Sequence, residues 1–177
     1  VLNRVYQTAH KYNADTIVRL TADNPLLSPD TVDAAINKFE RNDAAYVSNK
    51  INRTFPSGLD VEVFDSESLR YIETHTTDPY YREHVTPYYR ESEEFTSLNI
   101  RADEVFNEEH MLDRSEIRLT LDTPDDYELL RKIYANIPYN KILDVRDAIR
   151  YIDENGLISL NIDWDLHVVE FIVIITN

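Results

Sequence analysis

No cysteine occurs in the 177 residues. That excludes a disulfide framework and any zinc site built on thiolates. Glycine is almost as scarce, with only Gly58 and Gly156 in the chain. Neither sits in a phosphate-cradling loop, and the sequence has no Walker loop, dinucleotide fingerprint or Gly-x-Ser-x-Gly elbow. Basic residues are outnumbered, with 18 Lys and Arg against 33 Asp and Glu, for a net charge of −15. An acidic balance of this size argues against non-specific binding to nucleic acid or to an anionic membrane. It leaves an anionic substrate open, because a bound divalent cation inverts the local field. The five histidines, His10, His75, His84, His110 and His167, lack the spacing of a zinc site. The apolar tail Val168–Thr176 is far shorter than the roughly 20 residues needed to span a bilayer, and no signal peptide is visible. Cytoplasmic residence is therefore the expectation.

What is present is globular: 42% of residues are hydrophobic and 29% charged, enough for one domain with a real core. The most informative stretch begins at Ile17. Ile17, Val18 and Leu20 form a short apolar run typical of a strand covered on both faces. Asp23 follows just past its end, and Pro25 stops the ladder. Ser28-Pro29-Asp30 then supplies an N-cap, a proline suited to the first helical position, and an acid in the first turn. The same grammar returns at Ile117–Leu121, which leads to Asp122 and then to Thr123-Pro124-Asp125-Asp126. Ligands of open α/β sheets bind beyond the carboxyl ends of strands. Two strands would each bring one carboxylate to that edge, and two carboxylates plus substrate phosphates suit Mg²⁺. The alternative is that both aspartates only cap turns.

The remaining pattern is an α/β alternation. It predicts a helix over Val1–Tyr12, a strand over Thr16–Thr21, a helix over Pro29–Arg41, and a strand at Ala45–Ser48. This rhythm argues for a parallel sheet with crossover helices. Leu59–Phe64 alternates, with Leu59, Val61 and Val63 on one side and Asp60, Glu62 and Phe64 on the other, so one face is expected to be wet. A helix over Ser66–His75 follows, broken by Asp78-Pro79. Phe95–Ile100 reads as a further strand and Arg101–Ser115 as a charged loop. A helix over Pro124–Ile137 carries Tyr127, Leu130, Ile133, Tyr134 and Ile137 as its stripe. A last helix over Val145–Asn155 is capped by Asp144 and stopped by Gly156.

Arg82-Glu83-His84 is the densest polar cluster. Arg82 suits a carboxylate or phosphate, with His84 as a hydrogen-bonding neighbour; the plain alternative is a helix-start ion pair with His84 at the surface. Asp60 and Glu62 either contact sugar hydroxyls or a second metal, or form the solvated face of an edge strand. Tyr80, Tyr81, Tyr88 and Tyr89 either line a sugar pocket or lie in an interface.

Five motifs occur in one order: Arg19-Leu-Thr-Ala-Asp-Asn-Pro-Leu, Ser48-Asn49, Pro56-Ser-Gly-Leu-Asp-Val-Glu-Val-Phe, Arg82-Glu-His-Val-Thr-Pro-Tyr and Leu119-Thr-Leu-Asp-Thr-Pro-Asp-Asp-Tyr. Together they resemble the cytidylyltransferase family of the spore-coat polysaccharide type, which is similar to the enzymes that make CMP-linked acidic sugars such as KDO and sialic acid. The resemblance covers roughly residues 1–160, read as a single domain. It implies a three-layer, Rossmann-like nucleotide-diphospho-sugar transferase (GT-A-like) fold with a mixed, mostly parallel sheet. It also implies attack of a sugar hydroxyl on the α-phosphorus of CTP with release of pyrophosphate, and a requirement for Mg²⁺. By motif match, Asp23 and Asp122 would be the metal ligands. Arg19, Asn49, Gly58, Asp60, Glu62, Arg82, Glu83 and His84 would lie on the substrate side. In relatives the segment matching Lys50–Glu91 helps form a homodimer beside the sugar site.

Family members open with a strand and a glycine-rich basic loop for the triphosphate, and no such loop occurs here. The expectation is therefore an N-terminally truncated fold, with Val1 falling inside the family fold. The alternative function is a non-enzymatic relative that binds a sugar or a partner. The tail 161–177 lies outside the resemblance. Its β-branched segment Val168–Thr176 either pairs as a strand at the sheet edge left open or is a frayed extension.

Overall fold

Ile17 and Val18 are neighbours in sequence, yet they serve different cores. The computed structural model, which describes residues 1–161, shows why. Strand β1 (Thr16–Arg19) joins β2 (Tyr46–Ser48), β3 (Glu62–Asp65) and β4 (Ser97–Asn99) in one sheet of order β1-β3-β2-β4. Side chains alternate across a strand. The register sets Ile17 against Phe64 and Phe64 against Tyr46, and these three lie on one face. Val18, Val63 and Val47 line up on the other.

Helices cover both faces. On the Ile17 side lie α1 (Leu2–Lys11), which buries Leu2, Val5 and Ala9, and α3 (Ser66–His75), which buries Leu69 and Ile72. On the Val18 side lie α2 (Pro29–Arg41) through Ala35, α6 (Pro124–Asn136) through Leu129, Leu130 and Ile133, and α7 (Val145–Asn155) through Val145, Ala148, Ile149 and Ile152. The fold is thus mixed α/β. No helix among the described residues is long and apolar enough to cross a membrane.

The structure corrects three sequence expectations here. First, strand directions agree with a crossover rhythm except at β3, which runs antiparallel to both β1 and β2, while β2 and β4 are parallel. Most of the pairing is therefore antiparallel, not parallel. The chain reaches β3 through the irregular stretch 49–61 and not through a helix, so nothing forces a same-direction return. Second, Leu59–Phe64 has no wet face. Glu62 is 2% exposed and Phe64 is fully buried, because β3 lies inside the sheet with helices on either side. Third, the stripe of α6 differs at one position: Leu130, Ile133, Tyr134 and Ile137 pack on the core as expected, but the Thr123–Asp126 capping box turns Asp126 inward, Leu129 is buried and Tyr127 is left 54% exposed.

The expected strand at Ile117–Leu121 is reduced to one parallel bridge, Arg118 with Ser57. Ser57 N–H donates to Ile117 O at 2.9 Å and Leu119 N–H to Ser57 O at 2.7 Å. The partner stretch is a turn, and a turn cannot extend a ladder. Between Asp78 and Ser92 the chain forms two short helices, α4 (Pro79–His84) and α5 (Pro87–Glu91). They are joined by a γ-turn at the buried Val85, with φ 66° and ψ −63°, closed by Thr86 N–H to His84 O at 2.8 Å. A β-branched residue in this conformation is strained, and such strain collects at functional sites. The tail strand anticipated at Val168–Thr176 lies outside the described residues.

Candidate functional site

The two strand-end units meet. Leu121 N–H donates to the carbonyl of Asp23 at 2.8 Å, which fixes Asp122 beside Asp23. Burial raises the Asp23 carboxyl above the usual carboxylate range, and the nearby charges of Asp122 and Asp60 push it further; a Thr21 hydrogen bond and its own backbone N–H pull the other way. Its Oδ1 is buried and has no hydrogen-bond partner among the described residues. An orphaned carboxylate oxygen facing a second carboxylate is what a divalent cation satisfies. Asp23 and Asp122 could therefore hold Mg²⁺. Among the described residues no cluster of three or more His, Asp or Glu could bind a metal by itself. The remaining ligands would come from phosphates and water, as is normal for this ion.

Asp122 is itself held in place. Its side chain is 5% exposed and accepts a short hydrogen bond from Arg118. The Arg118 guanidinium also forks onto Asp126, with Nε at 3.0 Å and Nη2 at 3.2 Å. Asp126 in turn accepts the main-chain N–H groups of Asp122 at 3.0 Å and Thr123 at 2.9 Å, and the amide of Asn161 at 2.8 Å. Asp126 is the anchor of this end of the site. Sequence reading treated it only as a favourable charge in the first turn of a helix.

The glycine and asparagine named from the motifs shape the site from within. Gly58 has φ +100°, and a methyl group on it would come within 2.6 to 2.8 Å of the Leu119 and Thr120 main chain. It allows the turn to lie flat against the strand end that leads to Asp122. Asn49 is fully buried and uses both ends of its amide on main chain, with Nδ2 to Leu59 O at 2.7 Å and Oδ1 from Val61 N–H at 3.0 Å. Asn49 is thus a clamp on the approach to β3, not a ligand contact.

Arg19 and Glu62 also change role. They form a buried ion pair across β1 and β3. Glu62 accepts hydroxyl hydrogen bonds from Tyr46 at 2.7 Å and Thr86 at 2.6 Å. Burial pushes its carboxyl up, but Lys50, Arg19 and these two hydroxyls outweigh that and bring it down to about 2. Asp60 is engaged bidentately by Arg53, at 2.7 and 3.1 Å, and lies 3.6 Å from Lys50. Glu62 is thus enclosed, whereas the Asp60 side chain keeps 18% exposure beside its two cations.

Arg82, Glu83 and His84 do not act together. Arg82 forks onto Glu73 at 2.9 and 3.0 Å and also reaches the carbonyls of Glu73 and Thr76. Glu83 is exposed and lies 3.9 Å from the amino group of Val1. Positions next to each other on a helix point apart, and His84 lines a cavity. That cavity, about 200 Å³, is walled by Arg19, Lys50, Tyr80, His84, Thr86, Pro87 and Arg90. The γ-turn at Val85 brings His84 and Thr86 to it together. Three cations, Arg19, Lys50 and Arg90, line the cavity, and the first two flank the buried carboxylate of Glu62. In a strongly acidic chain this is a local excess of positive charge. Asp60 lies 3.6 Å from Lys50, and its charge is the smallest of the influences that raise Asp23. Lys50 and Arg90 were missed from sequence. The available signal was weak: Lys50 follows Ser48-Asn49 directly, and Arg90 ends the segment that begins at Arg82.

Comparison with known proteins identifies the family. The sequence profile of the cytidylyltransferase family matches residues 1–151, and the chain belongs to that family. It is 35% identical over 160 residues to an uncharacterized protein of Methanocaldococcus jannaschii, covering 90% of this chain and 62% of that one. It is 27% identical over 159 residues to the spore coat polysaccharide biosynthesis protein SpsF of Bacillus subtilis, covering 88% of this chain and 62% of SpsF. The chain thus spans less than two thirds of the length of these relatives. A solved cytidylyltransferase from Leptospira borgpetersenii superposes with a TM-score of 0.79 at 32% identity, over 94% of this chain and 67% of that one.

Proposed function

We propose that the protein to which these residues belong transfers a cytidylyl group from CTP to an acidic sugar for polysaccharide biosynthesis. The observation that carries this reading is the meeting of Asp23 with the segment that leads to Asp122, in a fold that also sets Arg19, Lys50, His84 and Arg90 on one cavity. In the reaction a sugar hydroxyl oxygen bonds to the α-phosphorus, the bond to the bridging oxygen of pyrophosphate breaks, and the hydroxyl proton is lost. A bound Mg²⁺ supplies neutralisation of the phosphate charge. Asp23 and Asp122 would hold it. Lys50 and Arg90 would take the carboxylate of the acceptor, because guanidinium and ammonium groups recognise such oxyanions. Arg19, already paired with Glu62, would contribute field and position more than a direct contact. Orientation of the two reactants accounts for much of the rate in such transfers.

A homodimer built through Lys50–Glu91 belongs to the same reading, and it is supported by exposed aromatic surface there, with Tyr80 47% exposed. Light scattering at tens of micromolar checks it, and a monomer mass would argue against it.

The main test is pyrophosphate release by the full-length protein with CTP, Mg²⁺ and matched sugars with and without a carboxylate. Turnover of the acidic sugar is expected, with Asp23→Asn and Asp122→Asn each slowing it by about a hundredfold or more. Wild-type rates in those variants would remove the metal assignment. Equal use of the neutral sugar would remove the role of the basic pocket.

A further inference from the structure

Arg118 sits between two carboxylates but does not treat them alike. Asp126 receives two nitrogens of its guanidinium, and Asp122 receives Nη2. Asp126 is fully buried and is also held by two main-chain N–H groups and by Asn161. The Asp122 side chain is 5% exposed, and its charge acts on Asp23. Asp122 and Asp126 thus share the Arg118 guanidinium.

We propose that Arg118 is a positioning residue that acts as a built-in rival to the divalent cation: without the ion it holds the Asp122 carboxylate, and the ion displaces it from Asp122 while it stays on Asp126. The proposal rests on the reading that Asp23 and Asp122 hold a divalent cation. The asymmetry of the contacts sets the direction of the exchange. Leaving Asp126 would strand a buried charge, which is costly. Leaving Asp122 costs one hydrogen bond, and the ion replaces it with a stronger attraction. Arg118 thereby keeps Asp122 aimed at the site and opposes weak or adventitious cations.

The test uses the chain with Mn²⁺ alone, titrated by electron paramagnetic resonance. Asp122→Asn is expected to lose the Mn²⁺ site. Removing the rival together with its anchor, as Arg118→Met with Asp126→Asn, is expected to tighten Mn²⁺ binding by roughly three- to tenfold, because a cation no longer competes at contact distance. If Asp122→Asn binds Mn²⁺ as well as wild type does, or wild type binds none, the cation reading falls and the proposal with it. If Asp122→Asn abolishes binding but the double variant binds equally or more weakly, the proposal alone falls. The wild-type protein provides a second arm that does not depend on the double variant folding. On titration with Mg²⁺, the guanidinium Nη signals of Arg118 should shift in NMR spectra while its Nε signal, on Asp126, stays in place. Unmoved Nη signals at saturating Mg²⁺ would overturn the exchange.

Discussion

Gly58 lies against the main chain of Leu119 so closely that an added methyl group would stand 2.6 Å from the Leu119 carbonyl carbon and 2.8 Å from its oxygen. The neighbour is backbone, which cannot swing aside, and φ is +100°. Gly58→Ala is therefore expected to cost about 3 kcal/mol or more, as strain and clash add. Urea unfolding followed by circular dichroism measures it. A loss below about 1 kcal/mol would show that the turn can retreat from Leu119.

Glu62 links stability to pH. Its folded-state pKa is about 2, against an ordinary value of 4.5. The folded value is depressed, so the stabilisation is complete above pH 4.5 and is lost as pH falls from there toward 2. It amounts to about 3 kcal/mol by linkage. Glu62→Gln should flatten that part of the stability profile. At neutral pH it should cost about 3 kcal/mol or more, because Arg19 is left buried beside a neutral group. Denaturant melts at pH 7, 5 and 3.5 check both statements, and an unchanged slope between pH 5 and 3.5 in the variant would contradict the first.

Arg90 is exposed, so Arg90→Gln should leave stability within about 0.5 kcal/mol of wild type. In the full-length protein it should raise the KM for an acidic acceptor by about tenfold or more, the range for losing one charge-assisted contact. The KM for CTP should not change. A parallel rise in both constants would place Arg90 outside the acceptor pocket.

Asp23 is less comfortable ionised in the folded chain than in the unfolded one, because burial and the charges of Asp122 and Asp60 raise its pKa. Asp23→Asn is accordingly expected to stabilise the isolated chain at pH 7. The same variant should lose any rise in melting temperature that Mg²⁺ gives the wild type. Destabilisation at neutral pH would mean that the carboxylate has an internal role other than holding charge.

Much of this molecule is local grammar and could be read as such. α2, α3 and α7 begin and end where their residues say: Pro29 at the start of α2, Asp65 accepting from Ser68 N–H at the start of α3, and Asp144 and Gly156 at the two ends of α7. The pairing of Asp23 with Asp122 was legible too, because each follows the same strand-end pattern. What could not be read is what depends on distant partners. The direction of β3 is not written in its own residues, since alternation looks the same either way along a strand. Glu62 is indistinguishable from a surface acid until Arg19, Tyr46 and Thr86 close around it. Arg82 looked available because its partner, Glu73, stands on the preceding helix. Lys50 and Arg90 matter only because the fold sets them on one cavity.

The insertion of β3 between β1 and β2 also bears on how the chain comes into being. Two of the three ladders among the described strands use β3, and β1 and β2 make no ladder with each other. Among the described residues, the stretch up to residue 61 supplies β1 and β2 but not the strand that joins them. A chain synthesised only to that point would expose Ile17, Val18, Tyr46 and Val47 together until residues 62–65 arrive. Waiting on distant contacts slows folding and leaves sticky surface uncovered meanwhile. A pause in translation just upstream of β3 would prolong that exposure, whereas one after α3 would find the sheet already able to close.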